Sequence, residues 1–539
     1  MAQHLKLLTA ALLPATLAGS ATVATAAPAQ KKKPNLVFVF ADQWRKHALG
    51  YRGEDPVLTP NLDSFASWAF SFDNAVACRP VSGPDRACLM TGKYPINNGV
   101  FANSVPLAPD EQTLGDLCKS AGYKTAFIGK WHLNGDVDQV LDPSRRHGFD
   151  FWVQSVGHQP FNQRYYIGES KNPVYIKDKW APTYETGTAI EYISRVKDGD
   201  EPFCVVLSYN PPHTSGSSGF EDRYQPGQRV GGEIKYGYGY GGPRSYEALY
   251  TGNDYVKNPI RGNVMPVGAE RDESGLVVPG YFGAITAIDN DFGDLMKYLQ
   301  QNGLLENTII LFTADHGESM GSQGLMTKGT WFEESAGVPF IIGWKGKTAS
   351  KREKAVFNSI DVLPTLMGMM DIRASQDMDG VDFSPMLLGG SFKAPEYAML
   401  SFDLGGVAEL KSPRYWRALY SERYTYVLCG FNAYRKFTKN GEALYDRLKD
   451  PMQLSPIFRG NGQDRLMDKL KGELAAMLRS KGDPFMTDYW QVEHPGYPKL
   501  NRHTISLEEM KQKIENGEIV PNGVKKKQQT APANNNNKK

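Results

Sequence analysis

Five unbroken apolar runs of strand length constrain this chain more than any other feature: Leu36 to Ala41, Thr125 to Ile128, Phe203 to Leu207, Ile309 to Phe312 and Val338 to Ile342. A strand wetted on one face alternates apolar and polar residues, whereas continuous runs suit strands covered on both faces, as in a parallel sheet packed between helices. Helical patterns lie between the runs, clearest in Ile285, Ile288, Phe292, Leu295, Met296 and Leu299, which share one helix face. Alternating strand and helix predicts an α/β domain over 34–395, with a large, mixed but mostly parallel sheet sandwiched by helices. From about Ala398 the texture changes to short aromatic segments, Tyr415 to Tyr420 and Tyr424 to Leu428, followed by Leu466, Leu470, Leu474 and Leu478 one turn apart. This predicts a C-terminal subdomain, 396–500, of antiparallel strands closed by a helix.

The 539 residues are 41% hydrophobic, enough for one large core. Basic and acidic side chains nearly cancel, 61 against 59, which leaves no electrostatic footprint for nucleic acid or an anionic membrane. Lys6, the apolar stretch Leu7 to Ala18 and Ala24-Thr25-Ala26 predict a cleaved secretory leader over 1–26, hence a periplasmic or secreted protein, followed by a basic linker at 27–33. No later run is long enough to span a bilayer. The five cysteines, Cys78, Cys88, Cys118, Cys204 and Cys429, are too few and scattered for a disulfide framework, and no essential bridge is expected. A Gly- and Tyr-rich insertion occupies 214–280, and the extension 501–539 ends in a Lys/Gln/Asn tail expected to be disordered.

Polar residues close the runs where a core strand would not require them. Asp42 and Gln43 end the first, Lys130 and His132 follow the second, His213 the third, and Asp315 and His316 the fourth. Ligands of α/β sheets bind outside the carboxyl ends of the strands, so these residues are expected to meet in one crevice. The most specific segment runs from Ser82-Gly83-Pro84-Asp85-Arg86 to Thr91-Gly92. Pro84 fits the first turn of a helix beginning near Ser82, which sets Ser82 at the positive end of the helix, where Arg86 could bond an anion.

This segment resembles the sulfatase signature: Cys or Ser, any residue, Pro, any residue, Arg, and Thr-Gly after four more. Asp42-Gln43, Thr59-Pro60-Asn61-Leu62-Asp63, Gly129-Lys130-Trp131-His132, Pro212-His213, Thr313-Ala314-Asp315-His316-Gly317-Glu318 and Asp361-Val362-Leu363-Pro364-Thr365-Leu366 resemble further blocks of that family, in order, across Pro34 to Leu478. The resemblance implies an alkaline phosphatase-like fold and hydrolysis of sulfate esters, with carbohydrate as the leading substrate class. It also implies that a radical maturase oxidises Ser82 to formylglycine, whose hydrated aldehyde attacks sulfur. Asp42, Gln43, Asp315, His316 and the modified residue 82 would hold a divalent cation, Ca²⁺ or alternatively Mg²⁺. His316 stands where many relatives have Asn, and Gln43 where many have Asp.

By the same resemblance Arg86, Lys130 and Lys328 surround the sulfate charge. His213 protonates the departing sugar oxygen, and His132 takes a proton from the remaining hydroxyl to regenerate the aldehyde. His47, His147, His494 and His503 read as structural, and His158 as a candidate substrate contact. Tyr236, Tyr238, Tyr240 and Trp331 are expected to stack on sugar faces, and Ser82 to be reachable by solvent. The other readings are a phosphonate or phosphate ester hydrolase of the same superfamily and an inactive glycan-binding relative.

Overall fold

The computed structural model describes residues 33–135, 140–214, 229–230, 233–234, 240–255, 257–265, 277–403, 415–429, 434 and 436–486. The predicted leader, Tyr236, Tyr238, His494, His503, most of the insertion and the C-terminal tail lie outside them.

The apolar runs form the middle of a ten-stranded sheet. In chain order its strands are β1 (Asn35–Asp42), β2 (Phe70–Val76), β3 (Lys124–Gly129), β4 (Phe151–Val156), β5 (Arg164–Ile167), β6 (Val174–Tyr175), β7 (Phe203–Pro212), β8 (Thr308–Ala314), β9 (Phe340–Trp344) and β10 (Lys351–Asn358). Across the sheet the order is β10-β2-β9-β8-β1-β7-β3-β4-β5-β6. The block β8-β1-β7-β3-β4 is parallel throughout, with β1 near its centre and every residue of β1 buried. Continuous apolar strands are therefore explained by cover on both faces.

The run at Val338 to Ile342 departs from the expected direction. It forms β9, antiparallel to both β8 and β2. A continuous apolar run reports burial on both faces; it does not report strand direction.

Cover on one face includes helix α2 (Val278–Gln301), whose Ile285, Ile288, Phe292, Leu295 and Leu299 are buried. The C-terminal part follows the sequence reading: Ala398–Asp403, Tyr415–Tyr420, Tyr424–Cys429 and Glu442–Asp446 form a four-stranded antiparallel sheet. Helix α3 (Asp464–Ser480) packs Met467, Leu470, Leu474 and Leu478 against it. No helix among the described residues is long and apolar enough to cross a membrane.

Candidate active site

Register brings the strand-end residues together. Ala41 lies opposite Ala314, Asp42 opposite Pro212, and Gly129 opposite Ser208, so Asp42, Lys130, His213 and Asp315 leave the sheet along one edge. Gly129 has φ +106°, and a Cβ there would fall 2.0 Å from the Ser208 carbonyl oxygen. Only glycine lets β3 approach β7 this closely and release Lys130 into the crevice. Gln43 and His132 follow their strands with φ of +67° and +57°, left-handed conformations that side-chain-bearing residues adopt infrequently.

Helix α1 (Ser82–Thr91) points its first residue at these groups. Ser82 Oγ is 3.2 Å from Asp42 Oδ1 and 3.0 Å from His316 Nε2. Ser82 is 1% exposed, not solvent-reachable as the sequence suggests, with Asp42 at the end of β1 and His316 just past β8 against its hydroxyl. The half-buried His158, His213 and Lys328 form the rim of the site.

Arg86, one turn further along α1, organises the acids. Its Nε donates to Asp315 Oδ2 at 2.9 Å, Nη2 to Asp42 Oδ2 at 3.0 Å, and Nη1 to the Lys130 carbonyl and to Ser208 Oγ at 2.6 and 2.7 Å. Its guanidinium is thus spent on protein oxygens. Lys130 Nζ donates to Asp42 Oδ2 at 2.5 Å, and Lys328 Nζ donates to Gln43 Oε1 at 2.5 Å and lies 2.7 Å from His213 Nε2.

The residues fit a divalent cation. Ligand atoms of Asp42, Asp315 and His316 lie within 4.8 Å of one another, all buried. His316 Nδ1 is 3.0 Å from the Gly317 carbonyl, which can only accept, so Nδ1 carries the proton and Nε2 turns a lone pair toward Ser82 and the acids. Burial opposes ionisation of Asp42, yet Lys130, His213 and Arg86 hold its carboxyl well below the usual range. Asp315 is pushed up to about 7 by burial and by Asp42. A dication there would relieve that repulsion.

Burial and neighbouring cations depress the basic groups of the site. Burial and Arg86 bring Lys130 down to about 8, against the pull of Asp42. Burial and Lys328 hold His213 well below its usual value, and burial, Lys130 and His158 do so for His132.

Every residue predicted for catalysis or metal binding falls in or around this crevice, and His158 joins them. Its ring stacks on His213 at 4.9 Å and meets His132 edge-on at 5.9 Å. His158, named from the sequence as a candidate substrate contact, follows β4 by two residues, as the strand-end rule applied to that strand expects.

The aromatic expectation fails at the two residues the structure describes. Tyr240 is 1% exposed, its ring edge-on to Tyr281 at 5.6 Å, and its hydroxyl donates to Glu318. Trp331 is fully buried beside Phe332, Trp416 and Tyr434. Neither presents a face to a sugar. The cysteines are also less scattered than expected, since Cys78 and Cys88 Sγ lie 3.2 Å apart, with Asp85 close by. Burial holds the Asp85 carboxyl well above the usual range while its Oδ1 accepts from Ser359 and the Arg79 amide, which makes it an anchor for α1.

Residues 34–372 match the sulfatase family model, and 321–480 match that of the N-sulphoglucosamine sulphohydrolase C-terminal region. An ulvan-active sulfatase of Formosa agariphila is 32% identical over 467 residues, which make up 85% of this chain and 84% of that protein. An endo-4-O-sulfatase of Bacteroides thetaiotaomicron is 26% identical over 85% of this chain and 94% of its own. The crystal structure of the YidJ sulfatase of Bacteroides fragilis, 30% identical, superposes with a TM-score of 0.72 over 86% of this chain and 98% of that one.

Proposed function

The chain belongs to the sulfatase family and is a sulfate ester hydrolase, and from that premise we propose that it desulfates a carbohydrate through a formylglycine made from Ser82. One observation carries the reading: Ser82 Oγ, at the first residue of α1, lies within hydrogen-bond reach of both Asp42 and His316. The ulvan-active and endo-4-O-sulfatase relatives support a sulfated polysaccharide, or an oligosaccharide derived from one, as substrate. The proposal includes a radical maturase acting on Ser82 and export behind the leader at 1–26.

Formylglycine would supply a hydrated aldehyde as nucleophile, and a divalent cation held by Asp42, Gln43, Asp315 and His316, preferably Ca²⁺ given the oxygen donors, would neutralise sulfate charge. Asp42 and Asp315 are kept in place by Arg86, so the guanidinium positions ligands and need not touch sulfate. Lys130 and Lys328 each keep an ammonium at the edge of the acids, where they can bond sulfate oxygens as charge builds on the leaving side. In this reading His213, on the rim, hands a proton to the departing sugar oxygen. His132, more deeply buried, accepts the proton from residue 82 in the second half of the cycle.

Mass spectrometry of the Ser82 peptide, from protein purified from its native host, tests this. Loss of two hydrogens at residue 82 is expected, with turnover of a sulfated glycan. Unmodified Ser82 in a fully active preparation would overturn the nucleophile. Faster turnover of a phosphate than of a sulfate ester of one aryl alcohol would move the enzyme to phosphoryl chemistry.

A further inference from the structure

Gln43 is held on every side. Its amide N–H donates to Asp315 Oδ1 at 3.0 Å, and its carbonyl accepts from the Tyr281 hydroxyl at 2.7 Å. Its Nε2 donates to the Tyr240 hydroxyl at 2.9 Å and to Glu318 Oε2, the same oxygen to which Tyr240 donates. This closed triangle fixes which end of the carboxamide is which, because a carboxylate accepts and only the NH₂ end can face it. The oxygen, Oε1, is thereby turned the other way, toward Lys328, while the Gln43 amide N–H holds the residue against Asp315.

Glu318 does more than hold Gln43. Its second oxygen accepts the amides of Met320 and Thr327 at 2.8 and 2.7 Å, pinning both ends of the loop that leads into Lys328. Tyr240 is fixed by close backbone approach to α2, since a Cβ on Gly280 would lie 2.5 Å from the Tyr240 carbonyl oxygen and one on Gly242 2.6 Å from the Ala284 amide. Glu318, Gln43 and Tyr240 are all buried.

Resting on the reading of this site as a cation site, we propose that Glu318, with Tyr240, is a positioning residue that requires an amide at position 43 and aims its oxygen at the cation. The glutamine is therefore no weakened copy of an acid. A carboxylate at 43 would meet Glu318 oxygen to oxygen, where the pair must either repel or take up a proton, and both disturb the ligand. Partners behind metal ligands commonly alter affinity by about ten- to hundredfold when removed.

The experiment is calorimetric titration of Ca²⁺, then Mg²⁺, into the metal-depleted full chain and into Gln43→Glu, Glu318→Gln, the double swap and Tyr240→Phe, with melting temperature as the folding control. Charge counting alone predicts that Gln43→Glu tightens Ca²⁺, because it adds a negative ligand. We expect the reverse: about tenfold weaker binding or more for Gln43→Glu and for Glu318→Gln, and a smaller loss for Tyr240→Phe. The double swap should recover affinity, because the carboxamide moved to position 318 again donates to a carboxylate, now at position 43. Tighter binding by Gln43→Glu, or a swap no better than either single variant, overturns the coupling. Should Tyr240→Phe alone fold and bind as the unmutated chain does, Tyr240 has no share in it. Failure of the unmutated chain to take up either ion overturns the cation reading and this inference together.

Discussion

Lys328 Nζ lies 2.7 Å from His213 Nε2, on the opposite side of the ring from a 2.7 Å contact between Nδ1 and the Thr214 carbonyl oxygen. The carbonyl can only accept, so Nδ1 carries the proton and Nε2 accepts from the ammonium. The imidazole thus rests neutral, as burial and the Lys328 charge both favour. In the proposed reaction, sulfate oxygens drawing Lys328 toward themselves would free Nε2 and favour its protonation, so that substrate would prepare the acid.

This gives a leaving-group prediction. His213→Ala should slow release from a sugar sulfate by on the order of a hundredfold or more, because an alkoxide cannot leave unprotonated, and slow an activated aryl sulfate far less. His132→Ala should slow both alike, since the second half of the cycle no longer contains the leaving group. Rates of leaving-group release and of sulfate release in a single turnover, on the two substrates, decide it, and equal losses for both variants on both substrates would erase the division of labour.

A second prediction concerns removal of the cation. Asp42 and Asp315 are buried carboxylates that share Arg86 and repel each other, and burial together with that repulsion pushes Asp315 up to about 7. Exhaustive chelation should abolish turnover and lower the melting temperature, and added Ca²⁺ should restore both. An ion at a hundredfold excess over its Kd stabilises a folded protein by about 2.7 kcal/mol. Unchanged melting and activity after chelation would leave these residues without a cation to hold.

Much of this site is legible in the sequence because it is built from strand ends. A parallel block brings Asp42, Lys130, His213 and Asp315 to one edge whatever the loops do, so apolar run followed by polar residue is sufficient signal. The direction of β9 is not legible, since burial on both faces looks the same in either direction. Tyr240 and Trp331 mislead for a related reason. Aromatic residues in a Gly-rich segment announce contact area, but what covers them depends on close approach to α2 and on the C-terminal sheet, both remote in sequence. The burial of Ser82 is hidden likewise, because Asp42 and His316, which meet its hydroxyl, come from separate stretches of the chain.

The last prediction lies away from the active site and tests the electrostatics of the core. Glu185, on the helix Ala181–Val196, is fully buried; its Oε1 accepts from the Tyr165 hydroxyl at 3.0 Å and its Oε2 has no hydrogen-bond partner among the described residues. Burial pushes its carboxyl from an ordinary 4.5 up to about 8, a rise the Tyr165 hydrogen bond opposes and Asp291 reinforces. The folded chain therefore binds a proton that the unfolded chain gives up near its ordinary value. The resulting contribution to stability is full below that ordinary value and is lost as pH rises through about 8. Each tenfold change in proton affinity is worth about 1.4 kcal/mol, so the loss is on the order of a few kcal/mol. Glu185→Gln keeps the group neutral at every pH and retains an oxygen for Tyr165. Melting of the two proteins should coincide near pH ~5, while near pH ~9 the variant should melt a few degrees higher. Comparison at each pH cancels the other titrating groups, and a difference in melting temperature that is the same at both pH values would show that Glu185 does not hold its proton in the fold.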